Sequence, residues 1–103
     1  MDIRVTCRHA KSSPELQQRI TDELNKLERF YDRVTSCHVI LDSEHGKQIV
    51  EVVMNGRGHS FSATGKDAIV GKAITDAVSK IERQLIKLKE KVKDHHAVKK
   101  DID

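Results

Sequence analysis

Aromatic side chains are scarce in this 103-residue chain: Phe30, Tyr31 and Phe61 are the whole set, and there is no tryptophan. Proteins that read single-stranded nucleic acid usually stack its bases on such rings, so the scarcity points away from base stacking. Long apolar runs are missing too. No stretch approaches the roughly 20 residues that span a bilayer, and the N-terminus is charged from its second residue instead of basic and then greasy. A cytoplasmic location is expected. The two cysteines, Cys7 and Cys37, in a chain without an export signal are expected to be reduced thiols. Catalytic signatures are likewise wanting. There is no Gly-x-Ser-x-Gly elbow, and Gly56-Arg57-Gly58 follows Asn55 in what reads as a hairpin turn and does not open a helix, as a phosphate loop would. Neither enzymatic activity nor a cofactor is expected.

What is present is charge: 34% of the residues are charged, with a net +3. From Ser79 to Lys93 there are six basic and two acidic residues, a local +4, and the remaining 13 basic and 14 acidic residues carry −1. The whole excess sits in one segment, which implies an anionic partner for that segment. A chain of this length forms one small domain, which excludes a two-domain enzyme.

The order of elements follows from periodicity. Residues 3–7 alternate as a half-buried strand. Ser12 with Glu15, or Ser13 with Pro14 at the first helical position, then starts a helix. Leu16, Ile20, Leu24, Leu27 and Tyr31 recur at spacings of four and three, predicting that helix over 14–31. Residues 34–42 and 48–54 are β-branched and flank a turn-rich loop around Gly46, so they form a hairpin. Asn55-Gly56 is a favoured hairpin dipeptide, and a third strand over 57–64 follows it. Asp67 is placed as the N-cap of a last helix over 67–93, whose apolar stripe runs Val70, Ile74, Ala77, Ile81, Leu85, Leu88, Val92. Residues 95–103 lack periodicity and are expected to be a disordered tail, leaving a domain over 1–94.

The predicted fold is therefore α+β: a two-layer β-α-β-β-β-α sandwich with two helices on one face of a four-stranded sheet. The order is similar to that of double-stranded-RNA-binding domains with a strand added in front, an analogy of fold that does not establish function.

Two basic rows are the candidate site. Lys80, Arg83, Lys87 and Lys91 fall on one stripe of the last helix, about a quarter turn from its apolar stripe. Arg19, Lys26, Arg29 and Arg33 flank the buried face of the first. Joined, they would make one basic surface suited to the phosphates of folded RNA. A solvated face and a favourable interaction with the helix C-terminus are the simpler explanations for such lysines, although they leave the coincidence of two rows unexplained. Metal binding finds no support: Cys7, His9, Cys37 and His38 have the right atoms, but adjacent strand residues such as Cys37 and His38 point to opposite faces.

Several stretches carry a resemblance. Lys26-Leu27-Glu28-Arg29-Phe30 through Asp32-Arg33, the strand Cys37-His38-Val39-Ile40-Leu41, and Asp67-Ala68-Ile69 leading to Ser79-Lys80-Ile81-Glu82-Arg83-Gln84-Leu85-Ile86-Lys87-Leu88-Lys89 resemble the ribosome hibernation-promoting factor family, also known as ribosome-associated inhibitors or ribosomal subunit interface proteins. The similarity covers residues 1–95. It implies binding to the small ribosomal subunit and its rRNA near the decoding region, in the mRNA channel at the A and P sites, and inhibition of translation under stress or in stationary phase. The rRNA contacts it implies are Lys26, Arg29, Lys80, Arg83, Lys87 and Lys91. The chain is similar to the short members of the family, and a monomer is expected off the ribosome, with no membrane or small-molecule partner. Two other readings stay open: a general binder of structured RNA, and a protein–protein adaptor using the exposed end of the long helix in a coiled coil.

Overall fold

The computed structural model of the chain describes residues 1–90 in full and the helical backbone beyond them as far as Ile102. The elements are β1 (Asp2–Cys7), α1 (Pro14–Leu27), β2 (Val34–Glu44), β3 (Lys47–Gly56), β4 (His59–Asp67) and α2 (Val70–Ile102). The four strands form one sheet in sequence order, with β1 parallel to β2 and the other neighbours antiparallel. The expected tail over 95–103 and the side chains of Lys91 and Val92 lie outside the fully described residues.

The core is where periodicity put it. Ile20, Leu24 and Leu27 of α1 meet Cys37, Val39 and Leu41 of β2, Val50, Val52 and Met54 of β3, and Ile74, Ala77, Ile81 and Leu85 of α2. Alternation along the strands sends every second residue to this side, and both helices cover it. Cys37 faces the core while His38 is on the open face, where its Nε2 lies 2.8 Å from Thr6 Oγ1. Burial pushes the Cys37 thiol up to about 12. α2 packs on β3 and β4. It comes so close to β4 that a Cβ on Gly65 would collide with the Ala73 carbonyl and the Ala77 amide.

Several boundaries differ from expectation. Ser13, not Ser12, caps α1: its Oγ accepts from the Leu16 amide at 3.1 Å, with Pro14 opening the helix. α1 ends at Leu27 instead of 31, through tightened turns in which the Glu28 and Phe30 amides donate to the Asn25 and Leu27 carbonyls. The reason is Tyr31, whose ring packs edge-on against Phe61 of β4 at 5.7 Å, a position that a continued helix would deny it. Arg29 and Arg33 therefore lie on the connection after α1, not on a helical row.

The hairpins also shift. The β2–β3 turn closes on two residues, His45 and Gly46, at φ 51° and 78°, the positive pair of a tight hairpin turn. The β3–β4 turn is Arg57-Gly58, two residues beyond the expected Asn55-Gly56. Asn55 is kept in the strand by Ser36, which accepts from its Nδ2, and by Ser60, which donates to its Oδ1. Gly56 serves close packing instead, with Tyr31 and the Arg33 carbonyl against it. Asp67 does not cap α2. It ends β4, opposite Gln48, and its Oδ1 accepts from the Ile69 amide, so the helix starts three residues later than expected.

Candidate nucleic-acid interface

Each proposed contact residue can be placed from the element that holds it. On α2, Arg83 and Lys87 are exposed, and among the described residues no carboxylate lies within ion-pair distance of either. Lys80 differs from both. Its Nζ donates to the Thr64 carbonyl of β4 at 2.7 Å and lies 3.3 Å from Asp76 Oδ2, one turn earlier. Gln84, four residues on, donates to the Ser62 carbonyl at 2.8 Å. Together they close the free edge of β4, a row of unpaired main-chain groups that would otherwise invite another strand.

The other flank of α2 faces α1. Arg19 donates through one guanidinium nitrogen to the Gly71 carbonyl and the Thr75 hydroxyl, each at 3.2 Å. At about 100° per residue, Gly71 lies half a turn around α2 from Lys80, nine residues away. The row begun by Lys80 and the helix bearing Arg19 are thus on opposite flanks, and the two basic rows do not merge into one strip. Arg19 works as a brace between the helices.

Lys26 follows Arg19 by seven residues and so shares the flank of α1 that faces α2. It is exposed and lies 3.8 Å from Glu23 Oε1, an ion pair too solvated to hold it firmly. Arg29 and Arg33, on the connection after α1, border a cavity of about 550 Å³ together with Lys89 of α2. Lys89 is also nine residues from Lys80, hence on the α1 flank. α2 therefore carries exposed cations on both sides: Lys80 and Lys87 towards the β4 edge with Arg83 on the outer face, and Lys89 beside Arg29 and Arg33. Lys89 stands off the predicted basic row of α2, where a favourable interaction with the helix C-terminus is enough to explain it; only the packing of α1 sets it beside Arg29 and Arg33.

No group of three or more His, Cys, Asp or Glu side chains is arranged to hold a metal ion among the described residues. Among the described residues, no helix is long and apolar enough to cross a membrane. Apart from Lys80 and Arg19, which bond to main-chain carbonyls, the cations of this surface are exposed side chains on the two-layer frame.

A two-layer α+β domain with basic helices of this order defines a class, and comparison with known proteins identifies it. Residues 3–93 match the family described as Sigma 54 modulation protein / S30EA ribosomal protein, and the chain belongs to that family. It is 28% identical over 95 residues to a ribosome hibernation promoting factor of Klebsiella oxytoca, covering 92% of this chain and all of that one. A protein of the same name from Azotobacter vinelandii is 31% identical over 91 residues, 88% of this chain and 85% of its own. Among solved structures, a ribosomal subunit interface protein from Coxiella burnetii superposes with a TM-score of 0.82 at 24% identity, over 87% of this chain and 99% of that one. The N-terminal domain of Thermus thermophilus Protein Y gives 0.78 at 22% identity, over 85% and 99%. These two likenesses establish the fold.

Proposed function

We propose that this chain is a ribosome hibernation factor: it binds the small ribosomal subunit near the decoding region, in the mRNA channel at the A and P sites, and blocks translation in stress or stationary phase. Membership of the family and the names of the Klebsiella and Azotobacter relatives support the ribosomal address. The observation that carries the reading on this chain's own residues is that α2 presents exposed cations on both flanks. Such a helix suits two phosphate strands passing on either side of it, which a folded RNA offers. Lys26, Arg29, Lys80, Arg83 and Lys87 contact rRNA in this reading, Lys91 extends the row by one turn, and Lys89 joins them. The protein acts in the cytoplasm, as a monomer off the ribosome, by steric occlusion and without catalysis.

Binding to purified small subunits at several salt concentrations tests this. Each phosphate contact contributes about 0.7 to 0.9 to the log–log salt slope. The double variant Arg83→Ala/Lys87→Ala is expected to bind more weakly and to lower the slope by about 1.4 to 1.8. Unchanged binding by the folded variant would remove these residues from the interface. Equal affinity for intact subunits and arbitrary RNA duplexes would favour a general binder of structured RNA instead.

A further inference from the structure

The chain's few aromatic rings are not dispersed. Phe30 and Tyr31 lie just past α1, and Phe61 stands on the helix-facing side of β4, with His59 two residues before it on the same side. Tyr31 meets Phe61 edge-on at 5.7 Å and His59 at 6.4 Å, and His59 stacks on Phe61 at 6.2 Å with 23° between the ring planes. The Tyr31 hydroxyl donates to the Arg57 carbonyl at 3.3 Å, which fixes the ring. Phe61 is buried beneath, whereas His59 is exposed and Phe30 and Tyr31 are half-buried.

Phe30, Tyr31, His59 and Leu88 wall the cavity of about 550 Å³ between the end of α1 and α2. Its size lies within the range of about 300–1,000 Å³ usual for small-ligand sites. The rim carries Arg29, Arg33 and Lys89, all exposed and, among the described residues, with no carboxylate at ion-pair distance. Glu28 and Asp32 also line it and offer acceptors for amino or hydroxyl groups.

Flat π-faces and an aliphatic floor inside, cations at the mouth and acceptors between them match the parts of a nucleotide: base, phosphate and sugar hydroxyls. An acidic peptide would satisfy the cations and leave the rings unused. We propose that this corner takes one unpaired nucleotide of an RNA, its base against Tyr31 and His59 and its flanking phosphates on Arg29, Arg33 and Lys89. The proposal rests on the RNA-binding reading and deepens it, adding one base-stacking anchor to a surface that otherwise reads phosphates.

Tyr31 is the chain's only tyrosine, so its ring protons give a single set of NMR resonances that report on the pocket. The full chain is titrated with tetraadenylate and with an abasic tetramer of equal charge. Tetraadenylate is expected to move the Tyr31 ring resonances upfield and the abasic tetramer to leave them in place. His59→Ala, which alters an exposed ring, is expected to weaken tetraadenylate binding about five-fold or more, since stacking one base is worth about 1–3 kcal/mol; its amide spectrum reports that it is folded. A Tyr31 set that stays unmoved while amides around Arg83 respond would overturn the pocket and leave the basic-helix reading intact. Equal shifts with both tetramers would also overturn it, assigning the corner to phosphate alone. A Tyr31 response in a protein that fails to bind small subunits would uphold the pocket and sink the ribosomal reading.

Discussion

The ammonium of Lys80 donates to the main-chain carbonyl of Thr64 at 2.7 Å, tying α2 to the unpaired edge of β4. This side chain belongs to the basic row of α2, yet much of its work is internal, and its side chain is 45% exposed. A hydrogen bond of this kind contributes about 1 kcal/mol net.

Lys80→Ala is therefore expected to lower unfolding free energy by about 1 kcal/mol, and Lys80→Ala/Gln84→Ala by about 2 kcal/mol. Urea denaturation measures both. Loss of subunit binding in a variant that carries Lys80→Ala would mix this structural effect with loss of the proposed phosphate contact, so Arg83 and Lys87 are the cleaner probes of the proposed interface.

Gly65→Ala drives a methyl group into the Ala73 carbonyl and the Ala77 amide of α2, main-chain atoms that cannot step aside. The expected loss is about 3 kcal/mol, at the upper end of overpacking costs. Gly46→Ala has open space around it and only the φ of 78° against it, so about 1 kcal/mol is expected. Thermal melts of the two variants should rank them in that order.

Asp42 is held below the ordinary aspartate value of 3.8, first by the Ser43 amide, which donates to its Oδ1 at 2.7 Å, and then by His9, whose Nδ1 is 3.2 Å away. A depressed carboxylate contributes stability that is present above the unfolded-state value and lost as pH falls through the folded-state value. Asp42→Asn should thus be less stable than the parent at pH 6 and approach it below pH 4, as followed by urea midpoints across that range.

Cys7 is exposed and Cys37 buried, with its thiol pushed up to about 12. At pH 8 a thiol reagent should label one cysteine per native chain, and both in urea, with mass spectrometry placing the first adduct on Cys7. Prompt double labelling of the native protein would contradict the packing of β2 into the core.

The element order and the core were legible because both helices and the inner strands repeat their apolar residues at clear periods. The starts of α1 at Pro14 and of β2 at Val34 were legible, whereas the end of α1, the second hairpin turn and the start of α2 were not. Tyr31 fits the helical period of α1 and still leaves the helix, since its contact with Phe61 is 30 residues distant in sequence. Asn55-Gly56 is a good turn, but Ser36, Ser60 and the approach of Tyr31 hold both residues in β3. The basic rows were readable as rows. Their placement on opposite flanks of α2 depends on which side α1 packs, and that is recorded in Arg19's contacts with Gly71 and Thr75, not in any period. The scarcity of aromatics pointed away from base stacking, and only tertiary structure brings the few rings together.

Occlusion of the decoding region is tested most directly by sedimenting the protein with small subunits while mRNA and tRNA are added. The protein is expected to travel with the subunit at low salt and to leave that peak as tRNA fills the A and P sites. Co-sedimentation that persists undiminished at saturating mRNA and tRNA would contradict occlusion.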